Sequence, residues 1–323
     1  MNTTVGIDIS KQSFDVYFEQ EGKGNHLKLS QTEQDYQILI HLIGRDATCV
    51  MEATGNYHLR LADYLHHAGV NVVVENPLKI KRFSQMNLNR TKTDKADAKL
   101  IYDYANMVLS RGTPHLWQPD NTEIGHLKQY DSICQQLIKQ RSALSNSEEA
   151  LTQLTGLNKE VTGVLKDMLS ALEGAIKQLE QGMLKLVKAN HQDTFDLVTS
   201  IPGVGPKTAT MMICLTDGFK KFTPEHVKQF ISYIGMSPRT FESGTSVQGR
   251  AHISKVGNAR LRSMLYMCSW TAKRSNQQCA TLYERLHEKG KPEKVIKVAI
   301  SHKLIRQIFG VIKSGIPFSD EFA

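Results

Sequence analysis

Four carboxylates carry the chemistry open to this sequence. Asp8 lies in the strand-like VGIDIS, Glu52 closes a second apolar run, and Asp94 and Asp97 stand in TKTDKADAKL. The spacing of the last two stacks both on one helix face. Ile7 and Ile9 flank Asp8 in a segment that otherwise reads as core, so a charge there is costly without a counter-ion. Like charges repel, and a cluster of them persists most naturally around divalent cations. Two Mg²⁺ ions, with Mn²⁺ as a substitute, would position a phosphodiester, activate the attacking oxygen and stabilise the leaving one. Any one of the four is more often a helix cap or a surface charge; as a set in the right order they read as a two-metal site.

The elements that must position them follow from periodicity. Residues 4–18 give two short strands around Ser10-Lys11-Gln12, and 25–31 alternates like a third. Residues 32–44 have helical period, 46–52 read as a buried strand, 56–68 as a helix and 71–76 as another strand, with helical segments to about residue 108. This βββαβαβα order is that of an α/β RNase H-like (RuvC-like) domain, expected over residues 1–115. In such a sheet the four carboxylates converge at one edge.

A middle territory, 116–192, repeats leucine at Leu137, Leu144 and Leu151, then at Leu165, Leu172, Leu179 and Leu186, with Thr155-Gly156-Leu157-Asn158 breaking the register. Two long helices are expected, as an antiparallel hairpin or a coiled-coil arm shared between subunits, against the alternative of one core layer in a globular domain. The remaining territory, 193–323, reads as mainly α.

Charge divides along the chain. The net charge is +8, but residues 201–323 hold 19 Lys and Arg against 8 Asp and Glu, a net of +11, and the first 200 hold 21 against 24, a net of −3. The rear third is the electrostatic footprint of a phosphate-binding surface. Within it, IPGVGPKTA at 201–209 has a helix-hairpin-helix signature: Gly203 and Gly205 allow a tight turn whose N–H groups face an anion, and Lys207 adds charge. FESGTSVQGR offers Ser243 or Ser246 as an exposed nucleophile between Arg239 and Arg250, which is weak evidence alone because Gly/Ser/Thr loops are common. Five cysteines lack metal-ligand spacing and read as reduced thiols of a cytoplasmic protein; neither a leader nor a membrane span is expected.

Taken together, GIDISK, MEATGNY, NPLKIKRF, KTDKADAK, IPGVGPKTA, GMSPRTFESGTSVQGR and GNARLRSMLYM resemble the DEDD-type transposases of bacterial insertion sequences, a group that includes Piv-type DNA invertases and bridge-RNA-guided recombinases. The resemblance runs from Val5 to about Phe318 with the motifs in family order. It implies an acidic tetrad at Asp8, Glu52, Asp94 and Asp97, a coiled-coil dimerisation arm, and a serine nucleophile that falls on Ser243. It also implies a covalent seryl–DNA ester, donor and target DNA as partners, a structured guide RNA, and a dimer or tetramer whose composite centre is assembled between subunits.

Rival readings make different demands. A junction-resolving nuclease would use the same tetrad with water as nucleophile. An actin-like sugar kinase would need Gly-rich phosphate loops after later strands, and none is present. A non-catalytic nucleic-acid scaffold would not need the carboxylates at all.

Overall fold

The computed structural model describes residues 3–320 except 54, 88–92, 113, 157, 240–241, 244–246 and 249–251; for 242, 243, 247 and 248 only the backbone is described. The chain divides into two compact units, residues 1–119 and 120–323.

The first unit opens with β1 (Thr4–Ile9), β2 (Ser13–Gln20) and β3 (Lys23–Ser30), then alternates α1 (Glu33–Ile43), β4 (Thr48–Glu52), α2 (His58–His67), β5 (Asn71–Glu75), α3 (Pro77–Met86) and α4 (Asp94–Leu109). The strands form one sheet in the order β3-β2-β1-β4-β5. Pairing is antiparallel within the first three strands and parallel from β1 to β4 and β4 to β5. This is the mixed sheet with helices that an RNase H-like expectation requires.

Successive strand residues face opposite sides of the sheet. Val5, Ile7, Ile9, Cys49, Met51 and Val72 point one way, into a core with Tyr36, Leu39, Leu61 and Leu65 of α1 and α2. On the other face Val50 and Val73 pack with Ile80, Ile101 and Tyr104 of α3 and α4. Gly6 shares this second face, where a Cβ would lie 2.3 Å from the Tyr102 nitrogen and 2.4 Å from the Ala98 oxygen. The missing side chain therefore lets α4 lie directly on β1.

The second unit contains α5 (Thr122–Leu151), α6 (Lys159–Thr199), α7 (Pro206–Thr216), α8 (Val227–Tyr233), the two-residue strands β6 (Pro238–Arg239), β7 (Glu242–Ser243), β8 (Val247–Gln248) and β9 (His252–Ile253), then α9 (Ala259–Ser275), α10 (Gln277–Glu288) and α11 (Glu293–Ser314). Helices α5 and α6 pack together over the leucine-repeat region, and all seven repeat leucines are half-buried. Helix α6 is interrupted at His191 (φ −140°, ψ 35°). Beyond it the core gathers α7, α8, α9 and α11 around Phe195, Ile213, Phe230, Leu265, Ile300 and Phe309. Arg260 of α9 binds Asp131 of α5, whose carboxylate is buried, and so ties the long helices to this core. All five cysteines are free and buried. Among the described residues no helix is long and apolar enough to cross a membrane.

Candidate active site

The acidic residues come from three elements that the sheet brings to one end. Asp8 lies on the same face as Gly6, two residues further along β1, and therefore toward α4. Glu52 ends β4 on the same face as Val50. Thr93 caps α4, its Oγ1 accepting from the Ala96 N–H at 3.2 Å, which fixes where the helix starts. Asp94 and Asp97 then occupy the first turn, where the helix dipole also favours negative charge. Asp94 is exposed; Asp8, Glu52 and Asp97 are half-buried.

Their proximity is recorded in the protonation of Asp8. Burial first, then the charges of Asp97, Glu52, Asp94 and Asp15, push its carboxyl up to about 6. Yet among the described residues no three His, Cys, Asp or Glu side chains stand close enough to hold one ion. These observations fit together physically: the carboxylates share one field, and Asp94 is turned to Lys28, whose Nζ donates to its Oδ2 at 3.0 Å. The donor set suits a hard divalent cation, all oxygen and excess in negative charge, and such an ion would offset the neighbouring charges that add to burial in raising Asp8. Asp8, Glu52, Asp94 and Asp97 are the side chains that would hold it.

Sequence reasoning missed the second rank. Asp15 pairs directly with Asp8 across β1 and β2, is 5% exposed, and lies 2.8 Å from His26 Nε2 and 3.7 Å from Lys28 Nζ. Glu75 stands beside Glu52 in the β4–β5 register and pairs with Lys79 at 2.8 Å. Strand alternation, Asp15 between Phe14 and Val16 and Lys28 between Leu27 and Leu29, was the available signal. Both extra carboxylates stand beside protein cations, whereas the charges that shift Asp8 are all acidic.

In the second unit, Ser243 ends β7, its backbone paired with Val247 of β8 in a tight hairpin. That hairpin springs from β6 and β9, where Arg239 is paired with His252 and exposed. Arg250 and Ser246 lie outside the described residues. The IPGVGPKTA turn joins α6 to α7. Gly203 has φ +98°, and a Cβ there would meet Ala272 of α9 at 2.7 Å, so this glycine serves close packing. Gly205 is the exposed N-terminal cap of α7, where a Cβ would meet nothing within 4 Å. Lys207 pairs with Glu180 at 2.6 Å, its side chain 70% exposed, a contact weak enough to exchange for phosphate.

Residues 5–156 match a family described as transposase, and residues 195–284 match the IS116/IS110/IS902 transposase family. The pilin gene-inverting protein of Moraxella bovis is 30% identical over 334 residues, covering 98% of this chain and 97% of that protein. This chain belongs to the IS110 family of DEDD-type transposases. The pilin gene-inverting protein of Moraxella lacunata is also 30% identical, over 98% of this chain and 97% of its own length. An insertion element IS110 protein of Streptomyces coelicolor is 27% identical over 50% of this chain and 38% of its own length. The transposase covers all of the T. thermophilus RuvC chain solved with a Holliday junction substrate, using 36% of its own length, at 12% identity and a TM-score of 0.27. The transposase is a DNA recombinase, an enzyme that acts on DNA.

Proposed function

We propose that the transposase cuts and rejoins DNA through a covalent ester on Ser243, assisted by Mg²⁺ at Asp8, Glu52, Asp94 and Asp97. The observation that carries this reading is the gathering of acidic side chains from β1, β4 and α4 around Asp8, whose carboxyl they help push up to about 6. Ser243 Oγ forms a bond to phosphorus as the bond from phosphorus to one deoxyribose oxygen breaks. The serine proton passes to solvent, and the freed sugar oxygen takes one up. A hydroxyl of the other duplex then attacks the ester, restoring the serine and a phosphodiester, so no nucleotide cofactor is consumed. The bound cations supply charge neutralisation at the phosphate and the leaving oxygen. The carboxylates hold those cations, and Asp15, tied to His26 and Lys28, backs Asp8 from the neighbouring strand.

Target choice, on this reading, comes from a structured guide RNA bound by the basic rear third through shape and phosphate. The turn at Gly203, Gly205 and Lys207, a helix-hairpin-helix in pattern, and Arg239 and Arg250, which bracket the serine in sequence, are its proposed phosphate contacts. The long helices are proposed to join subunits as a coiled-coil arm in a dimer or tetramer.

Denaturing gels of reactions trapped on labelled DNA test the chemistry. A protein–DNA adduct that is lost in Ser243→Ala and in magnesium-free buffer is expected; cleavage by Ser243→Ala without any adduct would instead mean that water is the nucleophile. Site-specific inversion is the second reading, favoured because both near-full-length relatives are named for inverting pilin genes. A plasmid carrying inverted sites beside a transposon-end reporter separates inversion from excision.

A further inference from the structure

A groove of about 1130 Å³ runs through the second unit between α10, α11 and the β6–β9 pair. Lys255, Arg285, Lys294, Lys303 and Arg306 line it, and among the described residues no aspartate or glutamate does. None of the five forms an ion pair with any described residue. Their positions are periodic: Gln278, Thr281, Leu282 and Arg285 share one face of α10, and Lys294, Val298, His302 and Arg306 follow one another along α11. From Lys294 to Arg306 the helix rises about 18 Å, which corresponds to about five nucleotides of one strand at duplex spacing.

Between the cations the surface is apolar and aromatic. Leu282, Val295, Val298, Ile253 and Tyr266 line the same groove, and Val295 is 52% exposed. A surface that serves only to stay solvated has no use for exposed valine among unpaired cations. A groove lined by cations and by apolar and aromatic side chains suits a strand whose phosphates meet the cations and whose unstacked bases lie on the hydrophobic surface. A duplex keeps its bases inside and would leave that surface uncovered.

We propose that this groove binds a single-stranded nucleic-acid segment and leads it to the serine hairpin. The hairpin leaves from Arg239 and returns at His252, and Pro238, His252 and Ile253 are themselves part of the groove wall. A strand lying on α11 therefore passes the residues from which the segment carrying Ser243 leaves and to which it returns. This inference rests on the recombinase reading for its choice of partner, and it adds a site outside the phosphate contacts proposed above.

Fluorescence anisotropy of the full-length protein with labelled 15-nucleotide DNA, 15-nucleotide RNA and a 15-base-pair duplex tests it. The variants are Lys303→Ala/Arg306→Ala and Arg285→Ala/Lys294→Ala, with Lys166→Ala/Lys185→Ala on the exposed side of α6 as a charge-matched control and melting curves to confirm folding. Each groove pair is expected to weaken single-strand binding about tenfold at moderate salt and to flatten the log–log salt slope by about 1.4, the value for two lost phosphate contacts on a single strand. The control should stay near wild type. Tighter binding of RNA or of DNA each supports the site and identifies the strand. Groove variants that bind like wild type, or that lose duplex binding alone, would overturn it. An intact groove effect without any Ser243 adduct would sink the serine chemistry and leave this site standing, whereas wild-type protein that binds no oligonucleotide would sink both.

Discussion

Asp8 is the residue on which the acidic site turns. Its folded value of about 6 lies above the ordinary 3.8, so the folded protein holds this proton more tightly than the unfolded chain. Its contribution to stability is therefore full below pH 3.8 and lost as pH rises through 6. At pH 8 without divalent ions, Asp8→Asn should melt higher than wild type by the equivalent of about 1–2 kcal/mol, after allowing for solvent screening of a half-buried group. Added Mg²⁺ should raise the wild-type melting temperature and leave that of Asp8→Asn almost unmoved; equal shifts would exclude Asp8 as a ligand. Lys28 makes the opposite prediction. Because its ammonium holds Asp94 at 3.0 Å, Lys28→Gln should tighten Mg²⁺ binding a few-fold in a calorimetric titration, and weaker binding would show that Lys28 supports the site instead. The tetrad was legible because Asp8 interrupts an apolar strand and Asp94 and Asp97 recur at helical spacing. Asp15 was not, since a single acid in an alternating strand looks like the solvent side until the register sets it opposite Asp8.

Among elements, the contact of β1 with α4 decides whether the tetrad forms. Gly6→Ala would set a methyl carbon within 2.4 Å of α4 backbone, which can yield only by moving the helix and, with it, Asp94 and Asp97. A loss of about 3 kcal/mol or more in denaturant unfolding is expected, with Mg²⁺ binding weakened in the protein that still folds. Ala98→Gly should leave both nearly unchanged beyond a helix-propensity cost of about 1 kcal/mol. The long helices carry another prediction. The leucine period announced them, and their lengths follow from the absence of proline between Thr122 and Thr199. The period did not reveal that Val161, Val164 and Met168 of α6 would stay 48%, 55% and 48% exposed near the turn that joins the two helices. If this end meets a second copy, Val164→Glu/Met168→Glu should convert the assembly to a monomer in light scattering while the melting temperature hardly changes.

At the scale of the molecule, the two units differ in charge: the first holds 13 Lys and Arg against 13 Asp and Glu, a net of 0, and the second 27 against 19, a net of +8. The element order βββαβαβα was readable because strands and helices of the first unit each bury one clean face. The second unit was less readable: helix α7 is buried nearly all round beyond Lys207, and the groove is assembled from residues between 236 and 306 that no local pattern links. Glycine spacing at Gly203 and Gly205 suggested phosphate contact, yet Gly203 is also demanded by Ala272, so one motif serves packing at its first glycine and leaves its second exposed.

The hairpin bearing Ser243 is mounted on the helical unit by two paired residues on each side, Pro238 with Ile253 and Arg239 with His252. Among the described residues, the last side chain that the hydrophobic interior takes before residues 240–251 is Met236, and the next after them is Leu261. Replacing those twelve residues by a two-residue Asn-Gly turn should therefore yield a soluble, fully folded protein that still captures its substrates and can neither open nor reseal them. Such a truncated form would be a natural dominant inhibitor, occupying sites in mixed assemblies while contributing no reactive hydroxyl.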